Sequence, residues 1–591
     1  MATTLKDVDV VLVGLGLTGG ILAKELAEAG LKVVGLERGV KRDTNPDFAI
    51  PQIRDELRYF QRTELMMNTA RETITFRHSP KQTALPMRRL GAFLPGEGVG
   101  GTAVHWGGVT WRWLPNRDLR IRSFYEQRFG KAFIPPDMPL QDWGITHEEL
   151  EPYYDRFEYA FAISGKAGNI KGQIQPGGNP FEGPRAREYP LPPLHDSLST
   201  QLFRDAAANL GYHPFMQPAA NASQPYTTPD GAKYGQCQYC GHCQRFGCEA
   251  NAKGGAQISV IPFALRNPNF ELRAHAWVTK VNLDSTRKKA VGVTYTDVAT
   301  GEEYDQPAGI VIVCAYAINN VHLLLLSGIG TPYDPTTGKG TVGKNYCYQV
   351  GGGGVTLFFE DRYFNPFMGA GAQGTRIDDF HANEAFDNGK YGFLGGATIG
   401  SSAGDGRPIG FHPVPPGTPR WGSAWKRATA KWYQHVMSIG GTSGNMPDRY
   451  HYYDLDPTYK NAFGQPLMRL TYNFTENDFK AREFAGQRSS EIAKSMNATI
   501  VTSPNERRDD FSLIPYQSTH NTGGVIMGTD PSKSVVNKYL QSWDVPNVFV
   551  VGASAFPHNS AYNPTGPLGA LTYWTADAIK NRYIKRPGKL I

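Results

Sequence analysis

The chain is poor in cysteine, has no run of like charge and has no apolar stretch of membrane-spanning length. Six cysteines in 591 residues, four of them bunched together, exclude a fold stapled throughout by disulfides. Apolar runs such as Gly309–Ala315 and Val548–Ala555 have the length of strands, far below the roughly 20 residues that cross a bilayer. Lys and Arg total 61 against 54 Asp and Glu, a net charge of +7. They are scattered, which excludes the clustered basic footprint of a nucleic-acid binder. The N-terminus is not read as a removable export signal. Val10-Val11-Leu12-Val13 runs directly into a glycine motif, and cleavage there would destroy a binding site.

What is present is globular, at 40% hydrophobic and 19% charged, and too long for one compact core. Residues 8–38 read as a βαβ unit: a buried strand Val8–Val13, a tight turn Gly14–Gly20, a helix Ile21–Ala29 and a strand Lys32–Glu37. Residues 45–90, with Asp55-Glu56-Leu57-Arg58-Tyr59-Phe60, read as helical in part, and Thr146–Ala162 as a clear helix. Phe270–Asp284 and Lys289–Asp297 read as antiparallel strands, Ile310–Cys314 and Asn547–Val551 as buried strands, and Asn477–Met496 and Pro567–Lys580 as helices. This order implies an α/β fold. A Rossmann-like nucleotide domain is assembled from both chain ends (1–345 and 505–591), and an α+β substrate-binding domain on a β-sheet is inserted at 346–504.

Gly14-Leu15-Gly16-Leu17-Thr18-Gly19 is a GxGxxG motif between a strand and a helix, with Glu37 at the end of the next strand. Gly14 permits the turn, Gly16 lets backbone approach a pyrophosphate, and Gly19 lets the helix pack on the strand. The acid is placed for ribose hydroxyls. A second cluster, Gly96 to Gly108, carries six glycines around His105-Trp106 and reads as backbone laid against a ligand. Its presence, with the N-terminal position of the first motif, favours FAD over NAD. Cys237, Cys240, Cys243 and Cys248 have the spacing C-x2-C-x2-C-x4-C. A zinc site drawing on His242, cramped disulfides, an iron–sulfur cluster and free thiols all compete, with the spacing nearest to ferredoxin-type ligation.

Through Gly14–Gly19, Gly98–Gly108, Ile310–Gly328 and Asn547–Ala578 the chain resembles the glucose–methanol–choline oxidoreductase family over essentially its full length. Within that family it is similar to the flavoprotein subunits of bacterial gluconate 2-dehydrogenase and related fructose and glucose dehydrogenases. The resemblance implies FAD, with Gly100, Gly101, Thr102, His105, Trp106 and Gly107 against the isoalloxazine ring and the backbone of Val278 at the adenine. Gly552, Ala553, Asn563 and Thr565 complete the cofactor site. His520 matches the family's catalytic base for the substrate hydroxyl, and Asn563 matches its partner. His558 is a nearby alternative that the motif disfavours. His105 stands where many members have Asn, and a bond to the flavin 8α-methyl and a hydrogen bond alone both remain open. Tyr316 stands where the family has glycine.

The relatives hold an iron–sulfur cluster in the region of residues 230–255. A three-iron cluster on Cys237, Cys243 and Cys248 is favoured over a four-iron cluster that would add Cys240. The implied activity is a dehydrogenase of a sugar acid, sugar or polyol, gluconate-like substrates foremost. Electrons would leave through the cluster to a cytochrome or quinone. The implied partners are a small chaperone-like subunit and a c-type cytochrome subunit, which would carry the chain to the periplasmic side of the bacterial inner membrane. Membrane association would then come only through a partner, and a cytoplasmic location is the alternative. A pyranose-type sugar oxidase using oxygen is the competing activity, suggested by His105-Trp106.

Overall fold

The computed structural model describes residues 2–48, 65–403, 406, 410–504 and 508–590. The first unit is β1 (Val8–Val13), α1 (Leu17–Glu28) and β2 (Val33–Leu36). The helix α2 (His147–Ala160) follows, its first turn fixed by a capping box between Thr146 and Glu149. After it come β3 (Phe270–Arg273), β4 (Ala276–Leu283), β5 (Ala290–Asp297), β6 (Glu303–Val313) and α3 (Ala317–Ser327). The middle of the chain supplies β7 (Val350–Phe358), β8 (Gly374–Phe380), β9 (Ala397–Ser402), β10 (Val436–Ser443) and α4 (Glu476–Lys494). The end supplies β11 (Val548–Val550) and α5 (Thr565–Ala578).

One sheet runs β3-β2-β1-β6-β5-β4, with β11 also on β6. β6 is long enough to serve two partners. Its first half pairs antiparallel with β5, and Ala308–Val313 pairs parallel with β1 and, from Val311 onward, with β11. The centre of the parallel part is apolar and buried, as Val10–Val13, Val33–Leu36, Ile310–Val313 and Val548–Val550 show. Val10, Val11, Leu12, Val311, Ile312, Val548 and Phe549 are fully buried, each contributing about 1.5–3 kcal/mol of hydrophobic stabilisation. α1 lies against this sheet with eleven of its twelve residues buried.

A second, antiparallel sheet runs Ile500–Val501, β7, β10, β9, β8, Phe215–Met216, with α4 packed across β7 and β10. A third joins Tyr452–Lys460, Pro466–Thr471, Ile74–Arg77 and Leu85–Pro86. Just before β7, Cys347 forms an antiparallel bridge with Thr522. That bridge brings the second sheet to the loop around residue 520.

Three expected elements differ. The helical reading of 45–90 fails at Ile74–Arg77, where β-branched and aromatic residues pair in parallel with Met468–Thr471; Asp55–Phe60 lies outside the described residues. Phe270–Asp284 is not one antiparallel strand. His275 sits in the left-handed region at φ 61 and breaks the run, leaving β3 parallel to β2 and only β4 antiparallel. α1 starts at Leu17 and not Ile21, because Gly19 and Gly20 belong to the helix and pack closely on the strand and on a neighbouring helix.

Candidate active site

The glycine motif forms the floor of a cavity of about 440 Å³. Gly14, at φ +96, abuts the backbone of Ala315, and a Cβ on Gly19 would lie 2.0 Å from the Gly14 carbonyl oxygen. Gly16 has no side chain to cap α1, so the first N–H groups of the helix are left for an anion. Gly14, Gly16, Thr18 and Glu37 all line the cavity. The Thr18 hydroxyl donates to the Cys314 carbonyl at 3.2 Å. The Glu37 carboxylate accepts from Leu15 N at 3.0 Å and Gly39 N at 2.9 Å, which fixes it at the strand end.

The second glycine cluster forms a wall. Gly101, Thr102, His105, Trp106 and Gly107 line the cavity; a Cβ on Gly101 would meet Gly16 Cα at 2.8 Å, so the two motifs touch. Gly100, also left-handed at φ +96, lies behind this wall and donates to the Leu15 carbonyl at 2.7 Å. His105 is buried, and its Nε2 has no hydrogen-bond partner among the described residues. Burial, with Lys253 nearby, pushes its imidazole down to about 3. Val278, Gly552, Ala553 and Thr565 also face the cavity. Glycines that leave no room for a side chain, an uncapped helix and an orphaned imidazole nitrogen together fit a flavin dinucleotide.

His520 and Asn563 meet in the same cavity, with Asn563 Nδ2 3.0 Å from His520 Nε2. The Asn563 amide is oriented by the Trp111 indole, whose N–H donates to Oδ1 at 3.1 Å. His520 Nδ1 lies 2.6 Å from Gln349 Oε1. Burial lowers the His520 imidazole to about 4, so it is neutral near pH 7. Three tyrosines clamp its loop. Tyr348 OH accepts from Ser518 N, Tyr346 OH donates to Asn521 Oδ1, and Tyr316 OH accepts from Asn521 Nδ2 at 2.6 Å. Tyr316 thus has a use that glycine could not supply. His558 faces Trp143 and Asp118 and does not line the cavity.

Sequence reasoning missed a cluster near Val278. Glu72, 5% exposed, accepts from Arg38 Nη1 at 2.9 Å and from Asn319 Nδ2 at 3.1 Å, and faces His322 Nδ1 at 3.4 Å. Burial alone would raise the Glu72 carboxyl, but the bond to His322 and the adjoining positive charges hold it below its usual value. Arg38 stacks on Trp277 at 4.9 Å and is the only Lys or Arg among the described lining residues. No cation therefore accompanies the His520–Asn563 pair in the lining. Arg420, Trp421, Arg449, His451 and Tyr452, candidates for a substrate pocket by composition, all lie outside it.

Of the four clustered cysteines, only Cys243 lines the cavity. Cys237 is buried against Leu194, Ala219, Ala252 and Ala370. Cys240 is half-buried and bridges Gly369, and Cys248 Sγ accepts from Ala252 N at 3.4 Å. Burial, reinforced by Cys243, pushes the Cys237 thiol up to about 12; Cys243 rises to about 11. Lys253, 1% exposed, donates to the carbonyls of Cys243 at 2.8 Å and Phe246 at 2.7 Å. All six cysteines are free thiols. The expected metal site is not assembled: among the described residues, no three of His, Cys, Asp and Glu are placed to hold an ion. The four thiols lie within electrostatic reach of one another beside a buried ammonium.

Residues 193–350 and 454–572 match the two models described as GMC oxidoreductase. The chain is 47% identical to the gluconate 2-dehydrogenase flavoprotein of Pantoea cypripedii, over 100% of this chain and 96% of that protein. It is 25% identical to the fructose dehydrogenase large subunit of Gluconobacter japonicus, over 98% and 99%. The crystal structure of pyridoxine 4-oxidase from Mesorbium loti superposes with a TM-score of 0.60 at 15% identity, covering 96% of this chain and 98% of that one, a likeness of fold. With full-length identity at this level and the two glycine motifs and the His–Asn pair in one cavity, the chain belongs to the GMC oxidoreductase family, the FAD-dependent oxidoreductases of alcohols and sugars.

Proposed function

We propose that this chain is the flavoprotein of a dehydrogenase that oxidises a secondary or hemiacetal alcohol of a sugar acid, sugar or polyol, with gluconate-like substrates foremost. The observation that carries this reading is the contact of 3.0 Å between His520 Nε2 and Asn563 Nδ2 in the cavity. A substrate hydroxyl set beside the pair, displacing the bond between them, accepts from the Asn563 amide and gives its proton to Nε2, a transfer that burial assists by keeping the imidazole neutral. FAD, when bound, supplies the acceptor for the hydride on the carbinol carbon. Gly14, Gly16, Gly19 and the start of α1 would hold its phosphates, Glu37 its ribose, and Gly100–Gly107 with Gly552, Ala553 and Thr565 the rest. The orphaned Nε2 of His105 supports direct contact with the flavin. Flavin that stays on acid-denatured protein identifies a covalent bond, and quantitative release identifies a hydrogen bond alone.

The reading extends to the electron exit. The Cys237–Cys248 segment reaches the cavity at Cys243, which together with its spacing supports a relay through an iron–sulfur cluster, three-iron in preference to four-iron. Iron and acid-labile sulfide analysis tests this, and purified holoprotein without either removes it. Resemblance to proteins named as a flavoprotein and a large subunit supports a multi-subunit enzyme, and we infer as its other parts a small partner subunit and a c-type cytochrome subunit, with the assembly on the periplasmic face of the inner membrane. The deciding experiment is turnover of gluconate, 2-ketogluconate, glucose, fructose and sorbitol with a one-electron dye and, separately, with oxygen. Dye-linked turnover of a sugar acid is expected. Steady peroxide formation with poor dye turnover identifies a sugar oxidase instead. The neutral sugars matter because, among the described residues, no cation lines the His520 end.

A further inference from the structure

Gln349 occupies the position just before β7 and is 1% exposed. Its Nε2 donates to the carbonyls of Ser560 at 3.2 Å and Ala561 at 3.0 Å. A carbonyl can only accept, so the amide cannot be turned round, and its Oε1 is committed to His520 Nδ1 at 2.6 Å. An amide oxygen can only accept as well, so Nδ1 carries the proton. The other side of the ring reaches the same answer independently. The Trp111 indole can only donate, which commits Asn563 Oδ1 to it and the Asn563 NH₂ to His520 Nε2. Nε2 therefore holds the lone pair. Two amides, each fixed by a group of single polarity, specify one tautomer of one imidazole.

Building on the reading of His520 as the base, we propose that Gln349 is a positioning residue that fixes His520 in its Nδ1–H tautomer and so keeps the Nε2 lone pair aimed at the substrate hydroxyl. Without an acceptor at Nδ1 the proton is free to move to Nε2, where it blocks proton transfer and meets the Asn563 amide donor. No charged side chain shares this task. The depression of the His520 pKa comes from burial alone. The titratable groups behind its loop are the phenols of Tyr316, Tyr346 and Tyr348 and the Cys347 thiol, all held protonated by burial. The segment before β7 contributes the neutral Gln349, the loop before α5 the neutral Asn563, and Asn559 Nδ2 binds the His520 carbonyl.

The test compares Gln349→Met and Gln349→Glu holoenzymes over a pH series, after flavin content has been matched to wild type. Gln349→Met keeps the volume and removes the acceptor. Its kcat is expected to fall about 10²-fold or more, the scale contributed by a positioned base, with KM changed less than about threefold. Gln349→Glu keeps an acceptor at Nδ1 and is expected to recover most of that loss above pH 8. Its carboxylate also stabilises the imidazolium, so the acid limb of kcat/KM moves up by about one pH unit or more. Equal losses in both variants with an unmoved pH profile, or a Gln349→Met enzyme with wild-type kcat, overturn the inference. Nitrogen-15 NMR of histidine-labelled wild-type holoenzyme reads the tautomer without any Gln349 variant, the signal being assigned by its loss in His520→Ala. A proton on Nε2 overturns the inference as well. A His520→Ala enzyme that keeps its turnover would sink the base assignment itself, whatever the tautomer.

Discussion

Replacing Trp111 by Phe removes one hydrogen atom of consequence, the indole N–H that holds Asn563 Oδ1 at 3.1 Å. Packing is largely kept. Trp111 stacks on Tyr562 with ring centroids 4.5 Å apart and planes 4° from parallel, a geometry that a phenyl ring preserves. In the wild type, a flipped Asn563 amide would lose the bonds to both Trp111 and His520 and set donor against donor and acceptor against acceptor. In Trp111→Phe the flip costs one bond fewer, about 0.5–1.5 kcal/mol, which raises the ratio of flipped to correctly oriented amide about 2- to 13-fold. The bond to His520 still favours the correct orientation, so we expect kcat/KM to fall, by less than that factor, at unchanged flavin content. Because the amide donates to the substrate oxygen in the ground state and during proton transfer, KM is expected to rise along with the fall in kcat. The assay is steady-state turnover with a one-electron dye acceptor, normalised to flavin absorbance. A Trp111→Phe enzyme with wild-type kcat and KM refutes the role given to the indole. Combined with Gln349→Met, the losses are expected to be non-additive, since both act through one imidazole.

Gly19→Ala would place a Cβ 2.0 Å from the Gly14 carbonyl oxygen, pushing α1 off the turn; flavin bound per protein, read by absorbance, is expected to fall at least about tenfold. Asp378 is fully buried, and burial raises its carboxyl to about 7 although Tyr562 and Asn179 both donate to it. A folded-state pKa above the unfolded value of about 3.9 means that its contribution to stability is intact below pH 4 and is lost as pH rises through 7. Asp378→Asn does not titrate, so its unfolding free energy relative to wild type is expected to climb from about pH 4 to about pH 7 and then level off, with a slope of at most about 1.4 kcal/mol per pH unit. A difference that stays constant across that range counts against the buried titration.

The βαβ unit was legible because its chemistry is written in short range, and the His–Asn pair because each stands in a short motif that resembles the family's. Gly14, Gly16, Gly19 and Glu37 serve one strand–turn–helix–strand passage, and His520 and Asn563 stand 43 positions apart with a buried strand between them. The residues that orient the pair were not legible. Gln349 is 171 positions from His520, and Trp111 is 452 from Asn563; nothing local marks an amide or an indole as belonging to a distant imidazole. The Glu72–Arg38–His322 cluster was hidden for the same reason, because three separate elements bring it together. Ile74–Arg77 was misread because its partner strand, Met468–Thr471, lies nearly 400 residues away and overrides local helical character. His275 shows a local limit as well, since a single left-handed residue split an alternating run into two strands with different partners, one parallel and one antiparallel.

The junction of β1, β6 and β11 has a consequence for how the molecule is made. Val8–Val13 is made well before Ala308–Val313, its neighbour across the sheet, and Val548–Val550 joins that strand later still. The walls of the cavity follow the same timetable, with Gly14 made long before Asn563 and Thr565. At roughly 5–20 residues per second, the glycine turn waits about half a minute to two minutes for the segment that closes over it. Closure of the cavity is thus tied to the arrival of that segment. A polypeptide cut short anywhere before α5 carries the nucleotide motif but cannot enclose a nucleotide.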